Sequence, residues 1–273
     1  MTMQPLFSEA GRQRLAEIAR ARLLCAFDFD GTLAPIMPRP EQVRLPESVR
    51  DKLLRLSAYA PVAIITGRAL DDIRNLLDFT PAFIVGNHGM EGVPGWEERA
   101  AVHERHCAAW KAQLSQVLAT APDREGIAIE DKRYSLSVHY RAAPDQERAA
   151  AFLDKVCASL DPKPRLVAGK CIVSLVGEDA WHKGNALEAL MEMTGAASAI
   201  YAGDDVTDED VFRIRRPELL SVRVERSTAS AAEFFVPQAQ DMEPLLDDLI
   251  ARLGACGARN WLHAETDMHH GKG

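Results

Sequence analysis

Leu23-Leu24-Cys25-Ala26-Phe27-Asp28-Phe29-Asp30-Gly31-Thr32-Leu33 is an apolar run that ends in two aspartates one residue apart, then glycine and threonine. The apolar part reads as a strand buried on both faces, the kind found in parallel sheets. Residues i and i+2 of an extended chain point the same way, so Asp28 and Asp30 leave the strand's carboxyl end together. Open α/β sheets bind their ligands at that end. Gly31 permits a tight turn, and its N–H and that of Thr32 are placed to bind an anion.

Two carboxylates this close repel unless a positive charge lies beside them. A hard divalent cation such as Mg²⁺, which takes oxygen ligands and keeps several waters, meets that need. An Asp-rich turn after a strand is the structural alternative, because Asp, Gly and Thr are ordinary turn residues.

Ser8 and Glu9 followed by Leu15 and Ile18 predict an amphipathic helix leading into this strand. Prolines 35, 38 and 40 make a loop, and Pro46 fits the first turn of a helix through about Leu56. Pro61–Ile65 is a second buried strand, ending at Thr66-Gly67-Arg68. A helix over Leu70–Leu77 and a third strand, Ala82–Val85, follow. This alternation predicts an α/β fold with a doubly wound, parallel-sheet, Rossmann-like core.

Near residue 97 the rhythm changes. A charged helix over 97–118, strands over 127–130 and 134–140, a helix over 145–160 and a hairpin over 165–176 form an αββαββ unit. In its second strand Tyr134, Leu136, Val138 and Tyr140 alternate with Ser135, Ser137, His139 and Arg141, so one face is polar. These boundaries predict an inserted α+β cap domain at 97–177 and a core domain at 1–96 and 178–273. The polar sheet face is expected to look at the mouth of the active site. Glycines 86, 89, 92 and 95 flank the entry to the insert and could hinge a closure that excludes water. The core resumes with a helix over 183–191 and a strand over 199–203. Strands near 219–224 and 234–236 and a helix over 242–253 complete it.

A chain of 273 residues with 47% hydrophobic and 26% charged residues has the composition of a globular protein. A net charge of −8 argues against a broad nucleic-acid or anionic-membrane surface, and no segment has the apolar length of a membrane span. Residues 8–22 are too charged for a signal peptide, and the five scattered cysteines include no Cys-x-x-Cys pair. A cytoplasmic protein with reduced, mostly buried thiols is expected. His263, His269 and His270 are expected to lie in a disordered tail.

Four pieces carry chemistry. The first is the pair Asp28 and Asp30. The second is Thr66-Gly67-Arg68, a hydroxyl and a guanidinium able to hold phosphate oxygens, or else a helix N-cap with a glycine turn. The third is Lys183, at a helix start whose dipole it opposes; either an anion lies nearby or the lysine is a solvated surface group. The fourth is Gly203-Asp204-Asp205-Val206-Thr207-Asp208-Glu209-Asp210. There Thr207 to Asp210 reads as a capping box, which leaves Asp204 and Asp205 for metal.

Together the four point to phosphoryl transfer. Asp28, the Asp30 carbonyl and Asp204 would bind Mg²⁺, and Asp28 would attack phosphorus. Asp30 would serve as acid and then base, while Thr66 and Lys183 steady the transferring charge.

The string Asp-x-Asp-Gly-Thr-Leu at 28–33 resembles the first motif of the haloacid-dehalogenase-like phosphohydrolases. With Gly86-Asn87-His88-Gly89-Met90-Glu91 and Gly203-Asp204-Asp205-Val206-Thr207-Asp208-Glu209, the chain is similar to the trehalose-6-phosphate phosphatase family from about residue 22 to 253. The run Glu130-Asp131-Lys132-Arg133-Tyr134-Ser135-Leu136-Ser137-Val138-His139-Tyr140-Arg141 fits that family's Glu-x-Lys-x-x-Ser-x-x-x-His-Tyr-Arg pattern. The resemblance implies a Mg²⁺-dependent sugar-phosphate phosphatase, with the synthase that makes its substrate as functional partner. It also implies sugar contacts from His88, Glu91, Glu130, Lys132, His139, Arg141 and Lys170. The family's glutamate in its Gly-Lys-x-x-x-Glu pattern is replaced here by Ser174, beside Ile172 and Val176 on the same strand face, so trehalose specificity stays open.

Other glycosyl phosphates, such as sucrose phosphate or a glucosylglycerol-type phosphate, are the alternative substrates. A receiver-type signalling module would share the sheet-end Asp, acidic pair, Thr and Lys. It would lack the second Asp and the insert. A phosphomutase also remains open and would need a bisphosphate activator.

Overall fold

The computed structural model describes residues 3–20, 22–37, 39, 42–169 and 171–255. They belong to two compact units, Met1–Val93 with Trp181–Gly273, and Pro94–Ala180. Lys170, Cys256 and the histidines at 263, 269 and 270 lie outside the described residues.

In chain order the first unit opens with β1 (Gln4–Pro5), α1 (Glu9–Ile18), β2 (Leu23–Phe27), α2 (Glu47–Ser57), β3 (Val62–Ile65), α3 (Leu70–Leu76) and β4 (Phe83–Val85). The second unit holds α4 (Glu97–Thr120), β5 (Ala128–Asp131), β6 (Ser135–His139), α5 (Gln146–Ala158), β7 (Arg165–Gly169) and β8 (Ile172–Val176). The first unit then resumes with α6 (Lys183–Thr194), β9 (Ser198–Gly203), α7 (Glu209–Phe212), β10 (Leu219–Val224), β11 (Phe234–Val236) and α8 (Met242–Ala255).

Among the described residues of the first unit, seven strands form one parallel sheet in the order β1-β11-β10-β9-β2-β3-β4. Its central strands β2, β3 and β9 are buried along their whole length, which is why their sequences are continuous apolar runs rather than alternating ones. From β2 the chain moves outward through β3 to β4, and from β9 outward in the other direction through β10 to β11. The reversal falls between β2 and β9, the switch point where such a sheet leaves a crevice beyond its carboxyl ends. Register decides what meets there. Phe27 pairs with Ala202 on one side and Ile64 on the other, so Asp28, Asp204 and Thr66 emerge from three adjacent strand ends.

Helices α1, α2 and α8 bury Leu15, Ile18, Val49, Leu53, Leu246 and Leu249 in one core with Cys25, Phe27, Val62 and Ile64 of the sheet. Helix α6 buries Ala186, Leu187, Leu190 and Met191 and packs on β2 and β3. It runs three residues beyond the expected Met191 and stops at Gly195, whose φ of 60° supplies the left-handed ending. Strand β1 was not expected. It has two residues, one of them Pro5, and proline is tolerated there because β1 is the sheet's edge.

The second unit is an antiparallel sheet in the order β5-β6-β8-β7 among the described residues. One face carries Leu136, Val138, Val173 and Leu175, packed against Trp110 and Leu114 of α4 and Leu153 and Val156 of α5. On the other face the register lines up Glu130, Ser137, Ser174 and Val167 across the four strands.

Because Leu136 is fully buried in this small core, Leu136→Ala should cost about 2–5 kcal/mol, read as a lower denaturant midpoint in equilibrium unfolding. A change under about 0.5 kcal/mol would show that the helix face of this sheet is not a packed core.

Candidate active site

Helix α6 opens with a capping box. His182 Nδ1 accepts from the Asn185 N–H at 3.4 Å, and Asn185 Oδ1 accepts from the His182 N–H at 3.2 Å. This fixes Lys183 as the first helical residue and points it inward, with 1% of its surface exposed. A solvated surface lysine is therefore ruled out. Its Nζ lies 2.9 Å from Asp28 Oδ1 and 2.8 Å from Asp208 Oδ1. A buried ammonium at a helix's positive end is tolerated only with such partners. The two carboxylates outweigh burial and hold Lys183 protonated.

Asp208 was expected to lie inside a capping box running from Thr207 to Asp210. The box instead spans Asp205 to Asp208, because Asp208 turns inward. Asp208 Oδ1 accepts from Lys183 Nζ and from the Tyr201 hydroxyl at 2.6 Å, and Oδ2 accepts from the N–H groups of Asp204 and Asp205, both at 2.9 Å. A carboxylate has about four acceptor sites, and these four donors use them. Gly203 makes room, since a Cβ there would stand 2.2 Å from the Asp208 carboxyl carbon. Tyr201 and Asp208 were missed as site residues. The signal was present: a tyrosine inside the apolar run Ala199–Ala202, two residues before a glycine.

Asp28, Asp204 and Asp208 offer ligand oxygens within 4.8 Å of one another. With Lys183 as the cation among them, the group keeps a surplus of negative charge. Burial pushes the Asp28 carboxyl up to about 8, with Lys183 opposing and Asp208 adding to the shift. Burial also pushes Asp204 up to about 6, with Asp208 and Asp205 adding to it. An all-oxygen, over-anionic set of this kind suits a hard divalent cation. Since Asp208 is fully engaged, Asp28 and Asp204 are the side chains left to hold one. Asp205, expected beside them, is exposed, and its Oδ1 accepts from the Val206 N–H. Thr32 Oγ1 donates to Asp204 Oδ1 at 3.3 Å.

The turn after β2 corrects one expectation. The N–H groups of Gly31 and Thr32 donate to the carbonyls of Ala34 and Phe29 rather than facing an anion. Gly31 is needed for another reason: its φ is 80°, and a Cβ would stand 2.2 Å from Asp204 Oδ2.

Beyond β3, Thr66 is buried and its Oγ1 accepts from the Arg68 N–H at 3.2 Å. Helix α3 is capped by Ala69, so Thr66 is not its N-cap. Arg68, expected to bind phosphate, instead donates to both oxygens of Asp30, at 2.6 and 2.7 Å, and to Asp72 at 2.8 Å. His88 sits against Gly67, where a Cβ would stand 2.3 Å from the imidazole. Asn87 and His88 both have left-handed backbones, φ 46° and 58°. Glu91 Oε2 accepts from the Leu70 N–H at 2.9 Å and from Asn87 Nδ2 at 2.8 Å, which ties this loop to the start of α3.

In the second unit, Glu130 Oε2 lies 2.9 Å from His139 Nε2 and 3.6 Å from Lys132 Nζ. Burial opposes, but the His139 and Lys132 contacts prevail and hold Glu130 below the usual carboxylate range. Ser174 and Ser137 hydroxyls are 3.1 Å apart. Arg141 lies just beyond β6, and its carbonyl accepts from Gln146.

A family profile described as trehalose-phosphatase matches residues 26–240. The chain is 30% identical over 224 residues to trehalose 6-phosphate phosphatase RA3 of Zea mays, covering 74% of this chain and 62% of that protein. It is 34% identical over 197 residues to a trehalose-phosphate phosphatase of Mycobacterium avium, covering 68% and 49%. The chain spans about three fifths of the length of the plant relatives it matches. Among solved structures, trehalose-6-phosphate phosphatase of Aspergillus fumigatus shares the fold at a TM-score of 0.69 and 23% identity, over 91% of this chain and 99% of that one. A sucrose-phosphatase from Synechocystis shares it at 0.53 and 16%, over 84% and 98%. The α/β core with its small antiparallel unit, the acidic strand ends and the profile match agree: the chain belongs to the trehalose-phosphatase family.

Proposed function

We propose that this chain hydrolyses trehalose 6-phosphate to trehalose and inorganic phosphate, the last step of trehalose biosynthesis, through an aspartyl-phosphate on Asp28. The observation that carries this reading is the Asp28 carboxylate held 2.9 Å from a buried lysine at the sheet's switch point, beside Asp204.

An oxygen of Asp28 attacks phosphorus, the bond from phosphorus to the sugar oxygen breaks, and Asp30 gives that oxygen a proton. Water then attacks phosphorus, its proton passes to Asp30, and the bond to Asp28 breaks to release phosphate. Lys183 and Thr66 balance charge on the transferring group. Asp28, the Asp30 carbonyl and Asp204 would hold Mg²⁺. When bound, the ion neutralises phosphate charge and relieves the carboxylate repulsion.

Family membership supports Glu130, Lys132, His139, Arg141 and Lys170, and separately His88 and Glu91, as the candidate sugar-binding residues. Ser174, with Ser137 beside it, supplies hydroxyls where an acid was expected, and this favours a second reading in which another glycosyl phosphate is the substrate. In either reading the protein works in the cytoplasm, downstream of the synthase that makes its substrate.

Phosphate release with Mg²⁺ across trehalose, sucrose, glucose, mannose and glucosylglycerol phosphates tests the reading. Trehalose 6-phosphate should be preferred, EDTA should abolish release, and Asp28→Asn should lower turnover by at least ~10³-fold with the fold retained. Preference for another member would support the second reading, while turnover by Asp28→Asn would contradict the mechanism.

The raised carboxyls add a pH dependence. Folded pKa values of about 8 and 6, against an ordinary 3.8, mean that the metal-free folded state keeps protons the unfolded chain has lost. Their contribution to stability is complete below about pH 4 and is lost as pH rises to about 8. Since a cation needs the ionised carboxylates, Mg²⁺ should raise the thermal midpoint more at pH 8 than at pH 5.5. In EDTA, Asp28→Asn should flatten the fall in midpoint with pH. Equal Mg²⁺ effects at both pH values would contradict the assignment of Asp28 and Asp204 as ligands.

A further inference from the structure

Arg68 leaves the end of β3 with every part of it engaged. Its N–H donates to Thr66 Oγ1, and its carbonyl accepts from the Asn87 N–H at 2.8 Å. Its Nε and Nη2 make two parallel bonds to the two oxygens of Asp30, 2.6 and 2.7 Å long. Nη1 is held by Asp72 one helical turn further on, and the guanidinium lies 5.8 Å over the Phe29 ring. The side chain is 9% exposed, whereas that of Asp30 is 34% exposed. An arginine that grips phosphate presents an open fork, and this fork is closed on a carboxylate.

We propose that Arg68 is a positioning residue for Asp30 and not a ligand of the phosphate. The proposal rests on the aspartyl-phosphate reading above, in which Asp30 moves a proton in each half-reaction. Proton transfer needs the carboxylate within a narrow range of positions. The two parallel bonds fix both its plane and its direction. Asp72 and Phe29 keep the guanidinium from following the carboxylate when it moves. As the leaving oxygen or the water arrives, one Asp30 oxygen exchanges an Arg68 N–H for the substrate. The other oxygen keeps its bond, so the swing stays small. A lysine, a point charge without the fork, cannot do this.

The test compares Arg68→Met and Arg68→Lys with the wild type, using the phosphate ester that the wild type hydrolyses best. Turnover and inhibition by inorganic phosphate are both measured. Positioning should appear as a fall in kcat of ~10²-fold or more. KM and the inhibition constant for inorganic phosphate should stay within about threefold, and lysine should not restore the rate. A phosphate grip would appear as KM and that inhibition constant rising together by tenfold or more, with kcat nearly kept, and would overturn the proposal. So would recovery of kcat by Arg68→Lys.

Should Arg68→Met unfold, Asp72→Asn leaves the Arg68–Asp30 pair in place without its brace. It should lower kcat several-fold at an unchanged phosphate inhibition constant; an unchanged kcat would overturn the proposal. A wild type without Mg²⁺-dependent turnover would instead remove the reading on which the proposal rests.

Discussion

One buried ammonium organises the carboxyl end of the sheet. Lys183 stands between Asp28 and Asp208 with almost no exposure to solvent. Charges so placed persist only when each is answered by a partner and by hydrogen bonds. Asp208 is answered four times over, by Lys183, Tyr201 and two backbone N–H groups. The lysine therefore has one anion held by four donors and a second, Asp28, at the end of β2. The first holds the ammonium in place; the second is left beside Asp204. Removing Lys183 would leave two carboxylates buried without their cation, and losing one partner of such a group typically costs about 3–5 kcal/mol. The ammonium at the sheet's carboxyl end is thus a condition of the fold.

Around this pair the loops pin one another. Gly31 lets the turn after β2 approach Asp204, and Gly203 lets β9 approach Asp208. The Thr66–Arg68 turn takes N–H bonds from His88 and Asn87, whose left-handed backbones persist only where their surroundings determine them. Glu91 then fastens that loop to the start of α3. In the second unit the helices cover one sheet face, while the other collects Glu130, His139, Ser137 and Ser174.

Much of this was legible in the amino-acid order. Strands β2, β3 and β9 are buried on both faces, and continuous apolar runs ending in Asp, Thr-Gly or Gly-Asp are how such strands read. Strand β1 was not legible, because two residues at a sheet edge leave no period to detect. Asp28 and Lys183 stood out because each sits where its charge needs a partner. Asp208 did not, because Thr207 to Asp210 satisfies the capping-box pattern equally well. The space above Gly203 and the donors Lys183, Tyr201 and two backbone N–H groups decide that Asp208 turns inward. Arg68 was seen as a cation near a phosphate site, but its partner Asp30 lies 38 residues away, and spacing alone does not reveal that pairing.

The central claim is that Asp28 carries the phosphoryl group. Mixing stoichiometric enzyme and substrate with Mg²⁺, quenching in acid on the millisecond scale and weighing the peptide that contains Asp28 tests it directly. The account requires a phosphate adduct on Asp28 that rises and then decays within one turnover. Phosphate release with no adduct at any time, or an adduct on another residue, would contradict it.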